Sequence, residues 1–257
     1  MKLPLAIPAA APVSVGEDET LDSFYCGRIR VIQKKKGYRF SVDAPLLADF
    51  IRTEPDDDLL DLGTGNGVIS LLLSLKPFSR IVAVEIQESL ADLARRNVAL
   101  NGLEERIEVV CRDFREFQPG KIFDVVFSNP PYIKKKTGFL SATAEISIAK
   151  HELKCDILEV MRTTSRLLKK DGRAYFVYPA RRRDDFAKAA ETSGLRLRAV
   201  RLVYPRAGAA PNLFLSECGF ASGERREIRP LVLHDARGSF TPEARRIFEG
   251  RRGGPVV

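Results

Sequence analysis

The stretch DVVFSNPPYIKKK, residues 124–136, ends a run of strand-forming residues at Asn129-Pro130-Pro131-Tyr132. Two adjacent prolines lack the N–H groups a central strand needs, so the chain leaves the sheet there in a rigid loop. A rigid loop at a strand end suits groups that must be held at fixed positions against a ligand. Here those groups are the Asn129 side-chain oxygen and the Pro130 carbonyl, both acceptors. What they face depends on the rest of the sequence; if it holds a donor of an electrophilic group, the target is a planar nitrogen bearing two hydrogens, such as the N6 of adenine or a glutamine amide. Its lone pair is delocalised and poorly nucleophilic, and two acceptors on its hydrogens would localise it as an electrophile approaches. Pro131 would fix the geometry, and Tyr132 would offer a face on which a base stacks.

A second group of residues surrounds DLGTGNG, Asp61 to Gly67. Gly63, Gly65 and Gly67 follow a G-x-G-x-G spacing, which departs from the dinucleotide pattern G-x-G-x-x-G and lacks the G-K-[ST] of a phosphate-gripping loop. The loop therefore suits close approach to a nucleoside without a pyrophosphate. Glu85 ends the next strand, where a carboxylate can accept hydrogen bonds from both ribose hydroxyls. Asp113 and Asn129 follow the third and fourth strands. All of these lie just past the carboxyl ends of parallel strands, where open α/β sheets bind ligands.

The elements that position them are legible from periodicity. DDDLLDLGTGNGVISLLLSL reads as strand, glycine loop and helix, RIVAVEI as a second strand, and QESLADLARRNVALNGL as a helix with an Asn-Gly C-cap. RIEVVCRD and IFDVVFSN are further strands, KCDILEVMRTTSRLLKKDG a helix ended by Asp-Gly, RAYFVYP a strand, and ARRRDDFAKAAETSG a helix. LRLRAVRLVYP and PNLFLSECGF read as a closing antiparallel pair. Strands alternating with helices predict an α/β fold with a mostly parallel seven-stranded sheet and helices on both faces. Before the glycine loop, two short strands flank a basic turn and precede a helix capped by Ser41 or Asp43. Residues 1–20 read as a flexible tail, 21–245 as one domain with 21–57 preceding the cofactor loop, and 246–257 as a second tail, with a short ordered stretch near PLVLHD.

With 42 Lys plus Arg against 34 Asp plus Glu, the net charge is +8, which favours a polyanionic partner without proving one. Lys34, Lys35 and Lys36 and Lys134, Lys135 and Lys136 form two triplets, the second beside the proline loop. They are candidate phosphate contacts on a nucleic-acid strand. Arg181 to Arg183 read instead as an exposed helix face. The four cysteines form no C-x-x-C pair, and His151 and His234 have no ligand cluster about them, so no metal site is expected. Isolated thiols fit a cytoplasmic setting. Pro4, Pro8 and Pro12 interrupt any helical signal segment, and no apolar run approaches the roughly 20 residues of a membrane span.

These residues resemble the class I S-adenosylmethionine (SAM) methyltransferases, whose Rossmann-like fold the element order matches. By that resemblance, Asp61 and the loop residues Gly63, Thr64, Gly65 and Gly67 hold the methionine portion of SAM. The "VEI" motif of Glu85 and Ile86 takes the ribose, and the "CRDF" motif of Asp113 and Phe114 the adenine, with Asn129 also bordering the cofactor. IQKKKGYRFSVDAPLLADF, NPPY, AKHEL and PLVLHD…FTPE are similar to segments of the bacterial tRNA(Val) adenine-N6 methyltransferase family, over most of residues 20–245. That similarity implies N6-methylation of an adenine in the tRNA anticodon loop, with Asn129, Pro130, Pro131 and Tyr132 as the catalytic loop; monomer and homodimer both stay open. Gly37 to Asp43 would pack near the cofactor. The lysine triplet after Tyr132 and the Arg/Gly tail depart from the family pattern and leave the exact tRNA open. Two rival readings stand beside it. One is a protein-glutamine N5-methyltransferase, which shares N-P-P-Y but usually has a helical domain before the cofactor loop. The other is an RNA-binding protein that kept the fold and lost catalysis.

Overall fold

The computed structural model describes residues 13–36, 42–130, 156–221 and 223–251. They fall into two compact units, the first formed by residues up to Phe117 together with Arg245–Gly254, the second mainly by Gln118–Ala244.

The first unit opens with an antiparallel hairpin, β1 (Glu19–Phe24) and β2 (Ile29–Lys34), followed by helix α1 (Asp43–Phe50). The residue at the α1 N-cap is Val42, and no side chain caps the helix. Asp43 instead sits in the first turn, where a carboxylate favours the helix dipole, and Ser41 lies outside the described residues. Three parallel strands follow: β3 (Asp58–Leu62), β4 (Arg80–Glu85) between its neighbours, and β5 (Ile107–Cys111). Their crossovers are α2 (Val68–Leu73) and α3 (Glu88–Leu100). From its second residue to its last, β4 is buried, as befits a strand with both faces covered. Helix α3 ends as its sequence predicts, at Asn101, with Gly102 at φ 64°.

The second unit holds β6 (Phe123–Ser128), β7 (Leu168–Pro179), β8 (Arg196–Arg206), β9 (Leu213–Gly219) and β10 (Arg226–His234) in the order β10-β8-β9-β7-β6. Strand β9 is antiparallel to both β7 and β8, as expected of the closing pair, while β6 is parallel to β7 and β10 to β8. Helices α4 (Ile157–Leu167) and α5 (Arg183–Thr192) accompany them, and α6 (Pro242–Phe248) follows β10 in the chain. Edge-to-face packing of Phe186 on Phe176 and Phe214, with ring centroids 5.4 and 5.1 Å apart, fills the core beneath α5.

Two elements differ from expectation. Helix α4 has an Asp156/Glu159 capping box but stops at Leu167, so Leu168 to Gly172 belong to β7 instead of the helix end. The buried Leu168 pairs with Phe123, and Lys169 reaches Asp124 at 2.7 Å, so sheet contacts outweigh helix periodicity there. The ordered stretch near PLVLHD is longer than expected: it is the nine-residue β10, which pairs with β8, and α6 follows it.

Candidate functional site

The glycine loop turns sharply because Gly63, Gly65 and Gly67 all take positive φ, at 73°, 61° and 84°. At Gly67 the requirement is also steric, since a Cβ there would lie 3.3 Å from Ala94 Cβ on α3. The loop is pinned to the end of β4: Gly63 N–H and Thr64 N–H both donate to the Val84 carbonyl, at 2.9 and 3.0 Å. Glu85, buried at the β4 terminus, accepts from Gly65 N–H (2.8 Å) with one oxygen and from Gln87 N–H (3.0 Å) with the other. This single carboxylate thereby ties the loop to the start of α3.

Asp61 lies behind the loop, 1% exposed. Its Oδ2 accepts the hydroxyls of Thr64 (2.6 Å) and Ser70 (2.7 Å). Burial pushes its carboxyl up to about 7 against the opposing pull of those two hydroxyls, and the nearby Glu85 charge adds to the rise. Among the described residues Asp61 Oδ1 has no hydrogen-bond partner, and neither does either side-chain atom of the fully buried Asn66. Buried polar atoms without partners are costly unless a ligand completes them. Gly63 leaves open space within 4 Å of where a side chain would begin. A buried carboxylate and an amide beside a glycine cradle fit the ammonium and carboxylate of an amino acid, and so fit the methionine end of SAM.

The remaining candidates are placed as follows. Ile86 is 40% exposed beside Glu85, an apolar surface fit for a flat ring. Asp113 and Phe114 are half-buried after β5. Arg115 grips Asp113 through its backbone N–H (2.9 Å), its Nε (2.9 and 2.8 Å) and its Nη2, and holds the carboxyl below the usual range. Asn129 and the buried Pro130 follow β6 in the second unit. Pro131, Tyr132, Lys134, Lys135, Lys136 and His151 lie outside the described residues. Of the first lysine triplet, Lys34 pairs with Asp18 (2.9 Å) and Glu19 (3.1 Å), and Lys35 donates to the Glu17 carbonyl (2.8 Å). Lys36 is exposed.

Sequence reasoning missed the residues that fasten the N-terminal hairpin to the cofactor loop. Asn97 of α3 accepts Ile32 N–H (2.6 Å) and donates to the Ile32 carbonyl (3.0 Å) and to the Asn66 carbonyl in the loop (2.9 Å). One turn on, Asn101 repeats the pattern with Arg30, accepting its N–H (3.0 Å) and donating to its carbonyl (2.7 Å). The repeat works because four helical residues rise about 6.0 Å and two strand residues about 6.6 Å. Two side-chain amides thus serve β2 as a neighbouring strand would. Arg96, just before Asn97, chelates the buried Glu19 at 2.8 and 2.7 Å. That contact, with help from Gly16 N–H and Lys34, draws the Glu19 carboxyl down to about 2. The signal was an i, i+4 pair of asparagines in a helix, residues whose amides compete with the backbone in a helix interior unless they have another partner.

The parallel strands, the glycine loop after the first of them and the acid after the next define a class I methyltransferase fold. A solved structure described as a predicted O-methyltransferase of Agrobacterium tumefaciens superposes with a TM-score of 0.64 at 22% identity, covering 82% of this chain and 98% of that one. The tRNA m1G37 methyltransferase of M. jannaschii superposes with a TM-score of 0.53 at 17% identity, covering 80% and 55%. Residues 38–181 match the methyltransferase small domain, and the chain belongs to that family. It is 32% identical over 206 residues to the tRNA1(Val) (adenine(37)-N6)-methyltransferase of Phocaeicola vulgatus, covering 80% of this chain and 86% of the relative. It is 26% identical to the enzyme of the same name from Tolumonas auensis, covering 86% and 92%.

Proposed function

We propose that this protein is a SAM-dependent methyltransferase that transfers a methyl group to N6 of an adenine in tRNA, with an adenine of the tRNA-Val anticodon loop as the substrate. The observation behind it is that one sequence carries both a glycine loop fit for SAM and Asn129-Pro130 directly after β6, in a chain whose relatives have that activity in their names. SAM supplies an electrophilic methyl group when bound. In this reading Asp61, Asn66 and the loop backbone hold its amino-acid end, Glu85 its ribose, and Ile86 with Asp113 and Phe114 its adenine.

The chain's other task is to make an aromatic amine nucleophilic. Asn129 Oδ1 and the Pro130 carbonyl accept its two hydrogens and draw the lone pair out of the ring, an interaction that strengthens as positive charge develops on nitrogen. No titrating base is needed, because the proton leaves after the new bond has formed. A single-stranded loop is the natural place for such a base, since extrusion there is cheap. Among the described residues no helix is long and apolar enough to cross a membrane. We place the reaction in the cytoplasm, where tRNA is.

The test is incubation with methyl-labelled SAM and either unmodified total tRNA or translation release factors, followed by nucleoside and peptide mass analysis. N6-methyladenosine is expected, and Asn129→Ala should abolish it while leaving SAM affinity within about twofold, since the lost contact acts in the transition state. Methylglutamine in the factor, with unlabelled tRNA, would move the same chemistry to a protein amide and overturn the substrate. No label in either would overturn catalysis.

A further inference from the structure

Within the second unit, β6, β7, β8 and β10 all run in one direction, with β9 opposed. Asn129 after β6, Ala180 after β7, Arg206 at the end of β8 and His234 at the end of β10 therefore lie along one edge of this sheet. The loops of that edge are knitted together: Ala180 N–H donates to the Asn212 carbonyl and Asn212 N–H to the Val203 carbonyl, each at 3.0 Å. Arg206 and His234 are direct register partners.

After His234 the chain reverses through a turn shaped by Asp235, whose Oδ1 accepts Arg237 N–H (2.9 Å) and Ser239 N–H (3.0 Å). The reversal lays Phe240 on the His234 ring, centroids 4.8 Å apart and planes 25° from parallel. His234 is fixed in turn by its Nδ1, which donates to the Pro205 carbonyl at 3.0 Å. Phe240 remains 38% exposed.

Along this edge three arginines carry unpaired positive charge, Arg206 beside His234, Arg237 in the turn after it and Arg181 after β7. Arg181, Arg206 and Arg237 are exposed, and none makes an ion pair among the described residues. Other arginines of the unit are committed: Arg182 to Asp185, Arg201 and Arg229 to Glu243, Arg226 to Glu217. In sequence the acidic residues nearest the three are Asp184, Asp185 and Asp235, of which Asp185 pairs with Arg182 and Asp235 is occupied in shaping its turn.

We propose that this edge is a docking surface for RNA that flanks the target nucleotide, with the Phe240–His234 pair stacking a base and Arg181, Arg206 and Arg237 meeting phosphates. The inference rests on the tRNA reading above. Exposed aromatic faces among unpaired arginines are what sequence-tolerant RNA contacts consist of. From β6 to β10 is four strand spacings, about 19 Å. The Phe240–His234 end of the surface, that far from Asn129, cannot hold the target base and must meet nucleotides several positions away or the adjoining stem, whereas Arg181, after β7, is one strand spacing from β6.

The experiment measures tRNA affinity across a salt series, KM for tRNA, and SAM affinity, for the wild type, the double variant Arg206→Ala/Arg237→Ala, and Phe240→Leu. Leucine keeps apolar bulk against His234 while removing the ring face, and thermal melts verify folding of each variant. The expected result is tRNA binding weakened roughly tenfold in each variant, with the salt slope of the double variant reduced by about 1–2. SAM affinity and kcat should stay at wild-type values. Folded variants with unchanged tRNA affinity and salt slope, in a wild type that methylates tRNA, would overturn the surface and leave the activity standing. A wild type that neither binds nor methylates tRNA would remove both.

Discussion

Asp61 carries the buried carboxyl behind the glycine loop whose titration is displaced furthest towards neutral pH. That carboxyl keeps its proton in the folded chain up to about pH 7, whereas the unfolded chain releases it near 3.8, the ordinary aspartate value. The stability it contributes is therefore fully present at acidic pH and is lost as pH rises from about 4 towards 7. An ammonium group from SAM would favour the ionised form, so SAM should bind more tightly as pH passes through that window. Asp61→Asn retains an acceptor for Thr64 and Ser70 but cannot ionise. The variant should bind SAM roughly tenfold more weakly and lose both pH dependences, as read by titration calorimetry and thermal melts from pH 5 to 8. Parallel pH curves for the two proteins would exclude Asp61 as the titrating group. At this scale the sequence was informative about Asp61, Gly67 and Glu85, because their positions at strand ends follow from spacing alone. It was silent about Asn66, Ser70 and Arg115, whose contacts depend on how the chain turns after each strand.

At the scale of elements, α3 does more than cover the sheet. Asn97 satisfies both backbone groups of Ile32 and the Asn66 carbonyl, so it connects the hairpin with the cofactor loop. Asn97→Ala would leave those groups unpaired in a buried place, at a cost of more than about 2 kcal/mol. It should also raise KM for SAM while leaving kcat little changed, because the loop loses a support without losing a reacting group. A variant that is destabilised with an unaltered KM for SAM would reduce Asn97 to a packing role. Periodicity predicted α3 well because its apolar stripe is regular. It misplaced the end of α4, where Leu168 is claimed by a long-range partner, Phe123, that helical periodicity cannot reveal.

For the molecule as a whole, the excess of positive charge overstates the charge available to a partner. Lys34 is held by Asp18 and Glu19, and several arginines close ion pairs of their own. Lys34→Ala should consequently leave the salt slope of tRNA binding unchanged while loosening the hairpin, measured by filter binding and amide exchange. A slope reduced by about 0.7–0.9 would return Lys34 to the RNA surface. The order of strands and helices was readable from alternation, and so was the parallel character of the sheet. Strand β10 was only half visible, because Pro230 interrupts its pattern and the strand pairs in parallel with β8 across a register shift.

The paired asparagines of α3 also act as a gauge of parity. They engage Arg30 and Ile32 and skip Val31, so they recognise one of the two edges of β2 and no other. A slip of the strand by one residue would present Val31 in place of Ile32 and turn both side chains, each fully buried, to the opposite face. A slip by two would restore the match. The chain length between the hairpin and the glycine loop is thereby counted in steps of two, and a single-residue deletion within β2 should do more harm than a deletion of two.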